Sequence, residues 1–529
     1  MRIIIFILVI SSFALNTTYS QRPDWEGGYP EGCTSITAGR LATADGSVIT
    51  SHTDDSHRTR SWMEIVPAAN HPRNATVTMY RREAFDSLAM PTYKHVPIGE
   101  IPQVKHTYQY LNTAYPSLNE KQLAIGESTF GGRPDLQSDE GLIDCQRLCQ
   151  LMLQRNATAR EAITMAGELL ARYGWNDAGE CLTIADKNEV WHFEVVGPGR
   201  GKVGAVWVAQ RVPDDHISVN ANASTIKEID LNNPDYFMAS DNIYEVARSN
   251  GWWKEGDPFR FCYAYAPESR TSLAARRREW RVFDLAAPSL GLDPNAENYP
   301  FSVKPDEKIT LDDLVRIFSD YYEGTPFDMT KDLTVADDSG KMVISPLANP
   351  HMPYDMNKLF RINGGWGWLG ERTIARWYTM YATIIQCRNW LPDEIGGVAW
   401  LAQDNVASSI YIPVYSAVTD LPESYKTPGR PNGYTTASAW WAFNRLGTLT
   451  AQRWGDMRHD VRAVWDPWQE KLFNEQEAFE RKAMELYDAG KTQELNNYLT
   501  DYTMHWGNKV VDKAWGLGDF LWTKYDEKF

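Results

Sequence analysis

The stretch EGCTSITAGRLATADGSVITSHTDDS (residues 31–56) decides how this chain folds and where its chemistry lies. It contains two alternating segments, TSITAGR and SVITSHT, separated by an Ala-Asp-Gly turn signal at residues 44–46. Alternation around Asp-Gly is typical of a β-hairpin. A turn centred near residue 45 places Cys33 opposite residues 56–58 and brings the Asp54–Asp55 pair within a side chain's reach of the thiol. We therefore expect thiol and carboxylates to be neighbours.

The composition describes a globular protein with an acidic balance. The 529 residues include 69 acidic and 53 basic side chains, which give a formal net charge of −16, and 43% of the residues are hydrophobic. Such a hydrophobic content is not that of a disordered chain. The clearest run of bases, Arg276–Arg278, is short, so we expect neither nucleic acid nor an anionic membrane as the main partner.

Residues 1–20 have the pattern of a secretory signal peptide. Arg2 supplies the positive charge, residues 3–15 are apolar, and the small residue Ser20 precedes Gln21, where cleavage is expected. No later stretch approaches the ~18 apolar residues of a transmembrane helix. We therefore expect a secreted or periplasmic protein that is free of the membrane after signal cleavage.

Six cysteines are spread thinly along the chain: Cys33, Cys145, Cys149, Cys181, Cys262 and Cys387. In an oxidising compartment an even number of cysteines is compatible with disulfides. Cys145 and Cys149 share a predicted helix, where their spacing gives poor geometry for a mutual bond. We expect most of the thiols to be small buried side chains, with one or two bridges.

The chain from residue 33 to about 225 combines short strands with a pair of helices. Strands are predicted at 181–196 (a hairpin), 202–212 and 216–224, and helices at 139–156 and 158–174. The second helix begins with a capping box, Thr158 to Glu161. Strand runs that flank a helical pair favour an α+β layered domain. The last part, residues 436–529, has helical periodicity and is expected to pack on the main body as an extension.

Cys33 gains a chemical function if the residues before it, 21–32, are removed as a propeptide. A thiol with a pKa near 8.5 is mostly protonated at neutral pH, whereas a new α-amine with a pKa of about 7.7–8 is a suitable base on the same residue. This is the logic of an N-terminal nucleophile. Gly32 has no Cβ and so tolerates strained geometry while the thiol attacks its carbonyl.

The same residues resemble a known family. The Cys33-Thr34 start, the Asp-Gly at 45–46 and the Asp54–Asp55 pair are similar to the N-terminal nucleophile (Ntn) cysteine dipeptidases of peptidase family C69, which are related to choloylglycine hydrolase and penicillin V acylase. Three later blocks resemble the family in the expected order: KQLAIGESTFGGR (121–133), DHISVNAN (215–222) and RREWRVFDL (277–285). The resemblance covers Cys33 to about residue 400.

This resemblance implies a four-layer αββα sandwich for residues 33–435, with the cysteine at the start of an inner strand. It also implies hydrolysis of dipeptides through an acyl-enzyme, without a cofactor, after propeptide removal. Cys33 then matches the nucleophile and its own amine the base. Asp55 matches the acidic residue that holds this amine.

Further roles follow from the resemblance. Asn222, or else Asn220, matches an oxyanion-hole donor, and Thr129 matches a second donor. Arg278 matches a site arginine, with Arg277 and Arg281 as competitors for the position.

His52 departs from the family pattern, because many relatives carry arginine there. A fixed positive charge beside the thiol lowers the thiol pKa, whereas a histidine does so only while it is protonated. We place His52 and Asn220 among the substrate-binding residues and expect a pH-sensitive activity.

Two alternatives concern the site itself. His52, Asp54, Asp55 and His57 offer ligand atoms that suit a divalent metal, but their spacing matches no familiar zinc signature, and we expect no metal. An Ntn acylase would cleave a non-peptide amide of the bile-acid or penicillin V type. Such an enzyme needs an apolar pocket, whereas a dipeptide offers two charged ends to ionic groups.

A third alternative is an exported binding protein without catalysis. Tryptophan-rich stretches at 363–372 and 438–443 could form an aromatic binding surface, although such residues more often pack in a core. In that case Cys33 is dispensable and the N-terminus stays at Gln21. The sequence leaves the oligomeric state open, a homo-oligomer included.

Overall fold

The computed structural model describes residues 32–86, 91–350 and 371–528. The predicted signal peptide (1–20) and all but the last residue of the predicted propeptide (21–32) lie outside these ranges. The described chain mixes helices with antiparallel sheets and ends in a helical region.

Two large sheets form the centre of the described chain, and neighbouring strands in both are antiparallel. The first sheet has seven strands, in spatial order β16 (Ser302–Val303), β14 (Ile217–Asn220), β1 (Gly32–Ala38), β2 (Val48–Asp55), β19 (Thr379–Cys387), β20 (Val398–Gln403) and β21 (Ile412–Tyr415). The second has eight, β15 (Phe237–Ala239), β13 (Val206–Arg211), β12 (Val190–Val196), β11 (Gly179–Ala185), β10 (Ala124–Gly131), β9 (Leu118–Asn119), β8 (Tyr110–Asn112) and β3 (Glu64–Val66).

In the described part of the chain, three two-stranded pairs lie outside these sheets: β5 (Thr76–Asp86) with β6 (Pro91–Pro102), β4 (Ala69–Asn70) with β7 (His106–Thr107), and β17 (Thr334–Ala336) with β18 (Met342–Ile344). The α-helices span Cys145–Arg155, Ala159–Tyr173, Ile243–Ser249, Phe261–Tyr265, Leu273–Ala286, Leu311–Phe318, Asp393–Gly396, Glu423–Lys426, Ala439–Gln452, Trp454–Asp488 and Thr492–Lys524. None of these helices is long and apolar enough to cross a bilayer.

Local patterns predict the elements between residues 139 and 224 well. The hairpin at 181–196 pairs Ala185 with Val190, so its turn lies at residues 187–188 as expected. The helix Ala159–Tyr173 has the predicted capping box, in which the Thr158 hydroxyl accepts the Glu161 N–H. The strand predicted at 216–224 joins the first sheet beside β1, whereas the one predicted at 202–212 belongs to the second sheet.

The pairing of β1 with β2 differs from the expected register. Cys33 lies opposite Asp54 and Ala38 opposite Ile49, so the placement of Cys33 against residues 56–58 is wrong. The reason is the connection, residues 39–47, which is longer than a tight Asp-Gly turn. Its first residues bond to another segment: Gly39 N–H donates to the His216 carbonyl at 3.0 Å, and Leu41 N–H to the Asp214 carbonyl at 2.7 Å.

The two sheets face each other through polar groups around β1 and β2. The Ser35 hydroxyl donates to the Glu127 carbonyl at 2.8 Å, and the Thr50 hydroxyl donates to the Thr183 carbonyl at 3.0 Å. A Cβ on Gly126 would lie 2.5 Å from the Ser51 carbonyl oxygen, which shows how closely the two backbones approach. Because strand side chains alternate, Cys33 and Asp54 point toward the second sheet, while Thr34 and Asp55 point away from it.

The C-terminal helices pack against the outer part of the first sheet. The Thr503 hydroxyl donates to the Pro413 carbonyl on β21 at 2.8 Å, and Arg388 forms a buried ion pair with Glu480 at 2.8 Å. Trp440, from one predicted tryptophan surface, is 1% exposed and belongs to the hydrophobic core. Most of the other stretch, residues 363–370, lies outside the described residues.

All six cysteines are buried and free, so the expected one or two disulfides are absent. Five of them serve as small buried side chains, as the sequence indicated. Cys33 stands apart, because it lines a cavity.

Candidate active site

A cavity of about 300 Å³ lies at the N-terminal end of β1 and is lined in part by Cys33, Asp54, Thr129 and Glu180. Its volume is at the lower limit of typical ligand pockets, about 300–1,000 Å³, and suits a small molecule. A larger cavity of about 920 Å³ lies among helices near residues 281, 316 and 458, but no cysteine lines it. The smaller cavity is therefore the candidate active site.

Three polar atoms of Cys33 are held by partners from distant parts of the chain. The thiol donates to Glu127 Oε2 at 3.1 Å, and the backbone N–H donates to Asn222 Oδ1 at 3.0 Å. The Cys33 carbonyl accepts a bond of 2.7 Å from Arg278 Nη1. The residue is thus fixed on its backbone side and on its sulfur side.

The surroundings of the thiol oppose its ionisation. Burial raises the pKa of the Cys33 thiol well above its ordinary value, and the carboxylates of Glu127, Asp54 and Asp55 raise it further. A thiolate here needs a new positive charge or a base close to the sulfur.

Asn222 connects Cys33 to the second sheet. Its φ of 59° lies in the left-handed region, which asparagine tolerates better than most residues. Its side-chain oxygen accepts from the Cys33 N–H, and Nδ2 donates to the Thr129 carbonyl at 2.6 Å. A Cβ on Gly32 would lie 2.4 Å from Asn222 Oδ1, which explains why the residue before the cysteine is glycine.

Of the three arginines considered from the sequence, Arg278 is the one that reaches Cys33. Besides the Cys33 carbonyl, it donates to Thr34 Oγ1 at 3.0 Å and to Asn222 Oδ1 at 2.8 Å. Burial, and then repulsion from Arg372, lowers its pKa to about 9. Its competitors bind elsewhere, Arg277 to Glu371 and Arg281 to Asp320.

The Asp55 carboxylate lies at the site, and its predicted role of holding the Cys33 amine stays a prediction. It forms a buried ion pair with Arg372 and accepts from Thr379 Oγ1 at 2.6 Å. Its backbone lies opposite Gly32. Arg372 is a residue that sequence reasoning missed, because it lies 317 positions from Asp55 and no local pattern marks it.

His52 and Asn220 are buried and are not among the residues that line the cavity. His52 Nδ1 lies 2.8 Å from the Glu127 carbonyl oxygen, and burial lowers the pKa of the imidazole, which therefore stays neutral near pH 7. Asn220 Nδ2 donates to the Ala223 carbonyl at 2.7 Å. Their roles in substrate binding stay predictions.

Thr129 lies between two glutamates that sequence reasoning did not single out. Its hydroxyl oxygen is 2.9 Å from Glu127 Oε1 and 2.8 Å from Glu180 Oε1. Glu127 lies within the block at 121–133 that resembles the family, and this resemblance is the signal that could have identified it. Nothing in the sequence pointed to Glu180.

Among the residues that the structure describes, two sets of ligand atoms have the spacing of a metal site, and both contain Glu127. They are Cys33–His52–Glu127 and Glu127–Cys145–Glu180, and within each set the atoms lie within 4.8 Å of one another. The set considered from sequence, with His52, the Asp54–Asp55 pair and His57, does not converge in the described ranges. The His57 ring is instead stacked on Tyr378, with the centroids 4.5 Å apart.

Comparisons with known proteins show the family of the chain. The model of peptidase family C69 matches residues 32–467, beginning one residue before Cys33, and the chain therefore belongs to this family of peptidases. The resemblance seen in the sequence is thereby confirmed.

The chain is also similar to curated proteins of lactic acid bacteria. It is 25% identical over 440 residues to a probable dipeptidase of Latilactobacillus sakei, covering 80% of this chain and 82% of the relative. It is 26% identical over 439 residues to probable dipeptidase B of Lactococcus lactis subsp. lactis, covering 81% and 82%. With dipeptidase A of Lactobacillus helveticus it shares 21% identity over 513 residues, 93% and 98% of the two chains.

Proposed function

We propose that this chain is the precursor of an exported dipeptidase whose mature form begins at Cys33. The proposal rests mainly on one observation: Cys33, the second residue of β1, lines a small cavity, and its nitrogen, carbonyl and sulfur are each held by a different residue. The names of the similar proteins support dipeptides as the substrate class.

We assign the facing sheets, with helices packed outside them, to the αββα sandwich of Ntn hydrolases. In this division residues 1–20 are the signal peptide, 21–32 the propeptide, 33–435 the catalytic domain and 436–529 the helical extension. The mature protein is secreted or periplasmic.

Cleavage of the bond between Gly32 and Cys33 supplies the base that the buried thiol lacks. The Cys33 nitrogen is an amide in the precursor and becomes an amine, whose unperturbed pKa is about 7.7–8. Asn222 Oδ1, 3.0 Å from this nitrogen, orients the amine. When the amine takes the thiol proton, the resulting ammonium also offsets the acidic groups that raise the thiol pKa.

The reaction then proceeds in two steps. The thiolate attacks the carbonyl carbon of the substrate's amide bond, and the Cys33 ammonium returns the proton to the departing amino acid. Water, activated by the same amine, hydrolyses the thioester and releases the second amino acid. Asn222 Nδ2 has a second N–H beyond the one that binds the Thr129 carbonyl, and this N–H serves the oxyanion.

The polarity of the cavity favours a dipeptide over the hydrophobic acyl group of bile-acid or penicillin V amides. Asp54, Arg82, Asp177 and Glu180 are among its lining residues. These charged side chains suit a ligand with an ammonium and a carboxylate close together.

Replacement of the nucleophile tests this proposal. Cys33→Ala should unfold at the wild-type temperature, keep its propeptide and lose dipeptide hydrolysis by on the order of 10⁶-fold. Cys262→Ala, which removes another buried thiol, is the control and should stay active. Dipeptide cleavage at the wild-type rate by Cys33→Ala would exclude the thiol mechanism and leave the peptidase with another nucleophile.

A further inference from the structure

Two buried glutamates lie on the sulfur side of Cys33 and take no part in the steps above. Glu127 on β10 is fully buried, and its Oε2 lies 3.1 Å from the Cys33 sulfur. Glu180 on the neighbouring β11 is 1% exposed and lines the cavity. Glu180 therefore faces the cavity, while Glu127, which is not among the lining residues, contacts the sulfur of the nucleophile.

The contacts of Thr129 indicate that one of the two carboxyl groups is protonated, which leaves one negative charge on the pair. The Thr129 hydroxyl contacts one oxygen of each carboxyl group but has a single proton to donate. The other contact therefore needs a proton on a carboxyl group. Burial and the charge of Glu127 both raise the pKa of Glu180, which agrees with a proton held there.

The second oxygen of Glu180 is buried and has no hydrogen-bond partner. Within the described ranges no lysine or arginine forms an ion pair with Glu127 or Glu180; His52, which lies 3.8 Å from Glu127 Oε2, stays neutral near pH 7. Buried carboxylates without a partner are costly, and such an atom in a cavity indicates a ligand that supplies the missing donor and charge.

The α-ammonium group of a peptide lies at the right distance to be that ligand. It is two bonds, about 2.5 Å, from the carbonyl carbon that the sulfur attacks. The sulfur approaches this carbon to about 3–3.5 Å before reaction. These distances allow a carboxylate 3.1 Å from the same sulfur to come within hydrogen-bond distance of the α-nitrogen.

We propose that Glu127 and Glu180 bind the α-ammonium group of the substrate and so restrict the enzyme to peptides with a free amino terminus. This inference rests on the proposed function, because it requires attack by the Cys33 thiol on the first peptide bond. Glu180 supplies the open oxygen, and Glu127 fixes the ammonium beside the sulfur.

Two other occupants are less suited to the pair. The ammonium created on Cys33 itself has an acceptor on the backbone side, since its nitrogen lies 3.0 Å from Asn222 Oδ1. A divalent metal would use Glu127 with either Cys33 and His52 or Cys145 and Glu180. The first set would block the nucleophile, and the second needs the thiol of Cys145, whose pKa burial raises.

The test compares two substrates in three proteins. The substrates are the best-cleaved member of a dipeptide panel and its des-amino analogue, in which hydrogen replaces the α-ammonium group. The proteins are the wild type, Glu180→Gln and the control Glu194→Gln, which changes a buried carboxylate on β12 that bonds to Ser224 and Thr225. The quantity measured is the ratio of kcat/KM for the two substrates.

The wild type should prefer the free amine by about 100-fold, the value expected of a buried charge-assisted hydrogen bond. Glu180→Gln should lower this preference at least about 10-fold through loss on the dipeptide, while the rate on the des-amino analogue changes little. Glu194→Gln should keep the wild-type ratio. If Glu180→Gln does not fold, Glu180→Asp, which withdraws the carboxylate by one methylene, should show the same direction of change.

A wild-type enzyme without preference for the amine, or an unchanged ratio in the Glu180 variants, would overturn the inference. So would loss of the preference after dialysis against a chelator, which would assign the pair to a metal ion. Failure of the wild type to cleave any dipeptide would instead contradict the proposed function.

Discussion

The two faces of the β1–β2 strand pair differ in how completely their polar groups are satisfied. On the arginine face, which points away from the second sheet, Arg278 and Arg372 bind the Cys33 carbonyl, Thr34 and Asp55. On the thiol face, the Cys33 thiol donates to Glu127, which shares the Thr129 hydroxyl with Glu180, and the described residues supply no cation to either glutamate.

We infer from this difference that the arginine face positions the nucleophile, whereas the thiol face binds the substrate. A closed network of buried charges and hydrogen bonds holds its members in one geometry, and here it fixes the backbone of the nucleophile. An incomplete network keeps an atom such as Glu180 Oε2 ready for a ligand. The comparison predicts that changes on the arginine face lower the rate on every substrate, whereas changes on the thiol face alter selectivity.

The largest effect is expected for Arg278→Ala. Removal of this side chain takes one donor from the Cys33 carbonyl and one from Asn222 Oδ1, and it frees the start of β1. We expect kcat to fall about 10³-fold for dipeptide and des-amino analogue alike. Arg276→Ala is the control, because Arg276 lies on the same helix but donates to the carbonyls of residues 295 and 296. Its kcat should fall far less than that of Arg278→Ala. Equal losses in the two variants would show that Arg278 has no special position.

A smaller effect is expected for Gly32→Ala, which acts on processing. The new Cβ would lie 2.4 Å from Asn222 Oδ1 and displace the scissile bond. We expect release of the propeptide to slow about 10²-fold, because misplacement by about 1 Å has that cost. Gly516→Ala, where an added Cβ meets no atom within 4 Å, should mature normally. Maturation is monitored by the shift of the precursor band. Normal maturation of Gly32→Ala would refute the geometric argument.

His52→Gln should lower kcat/KM less than about 10-fold. Since burial lowers the imidazole pKa, His52 carries no charge near pH 7, and glutamine can replace its hydrogen bond to Glu127. The acidic limb of the pH profile of kcat/KM should stay at the same pH as in the wild type. A displaced limb would show that protonated His52 tunes the thiol, as the sequence suggested.

The smallest expected effect is a pH-dependent change in the stability of a Glu180 variant. Burial and the charges of Glu127 and Asp177 raise the pKa of Glu180, so the native protein holds a proton that the unfolded chain has lost above about pH 4.3. Stability is therefore lost as pH rises through the native pKa. Glutamine has no such proton, and Glu180→Gln should be more stable than the wild type at pH 8 by ~1 kcal/mol.

Urea unfolding at pH 4 and pH 8 checks this prediction, with Glu189→Gln as a control at a carboxylate paired with Arg160. Greater stability of Glu180→Gln at pH 4 but not at pH 8 would reverse the sign and contradict a protonated Glu180.

Local sequence patterns predicted the strands and helices that carry the site residues more accurately than they predicted the contacts between those elements. The alternation in β1 and β2 gave both strands, and the family resemblance selected Cys33, Asn222 and Arg278 from many candidates. Successive helical residues point about 100° apart, so one of neighbouring arginines reaches Cys33 while Arg277 turns to Glu371.

The missed features depend on tertiary structure. The register of β1 with β2 was wrong because bonds from Gly39 and Leu41 to residues 214–216 end the pairing early, and these bonds join distant segments. The ion pair of Asp55 with Arg372 has the same origin. Glu180 gained a role only when β11 was placed beside β10.

The mass of the active protein tests the central claim most directly. Intact-mass and N-terminal analysis of purified protein, taken alongside its dipeptidase activity, should show a chain that begins at Cys33 with a free amine, and activity should rise in proportion to that species. Full activity in a chain that still begins at Gln21 would contradict the account.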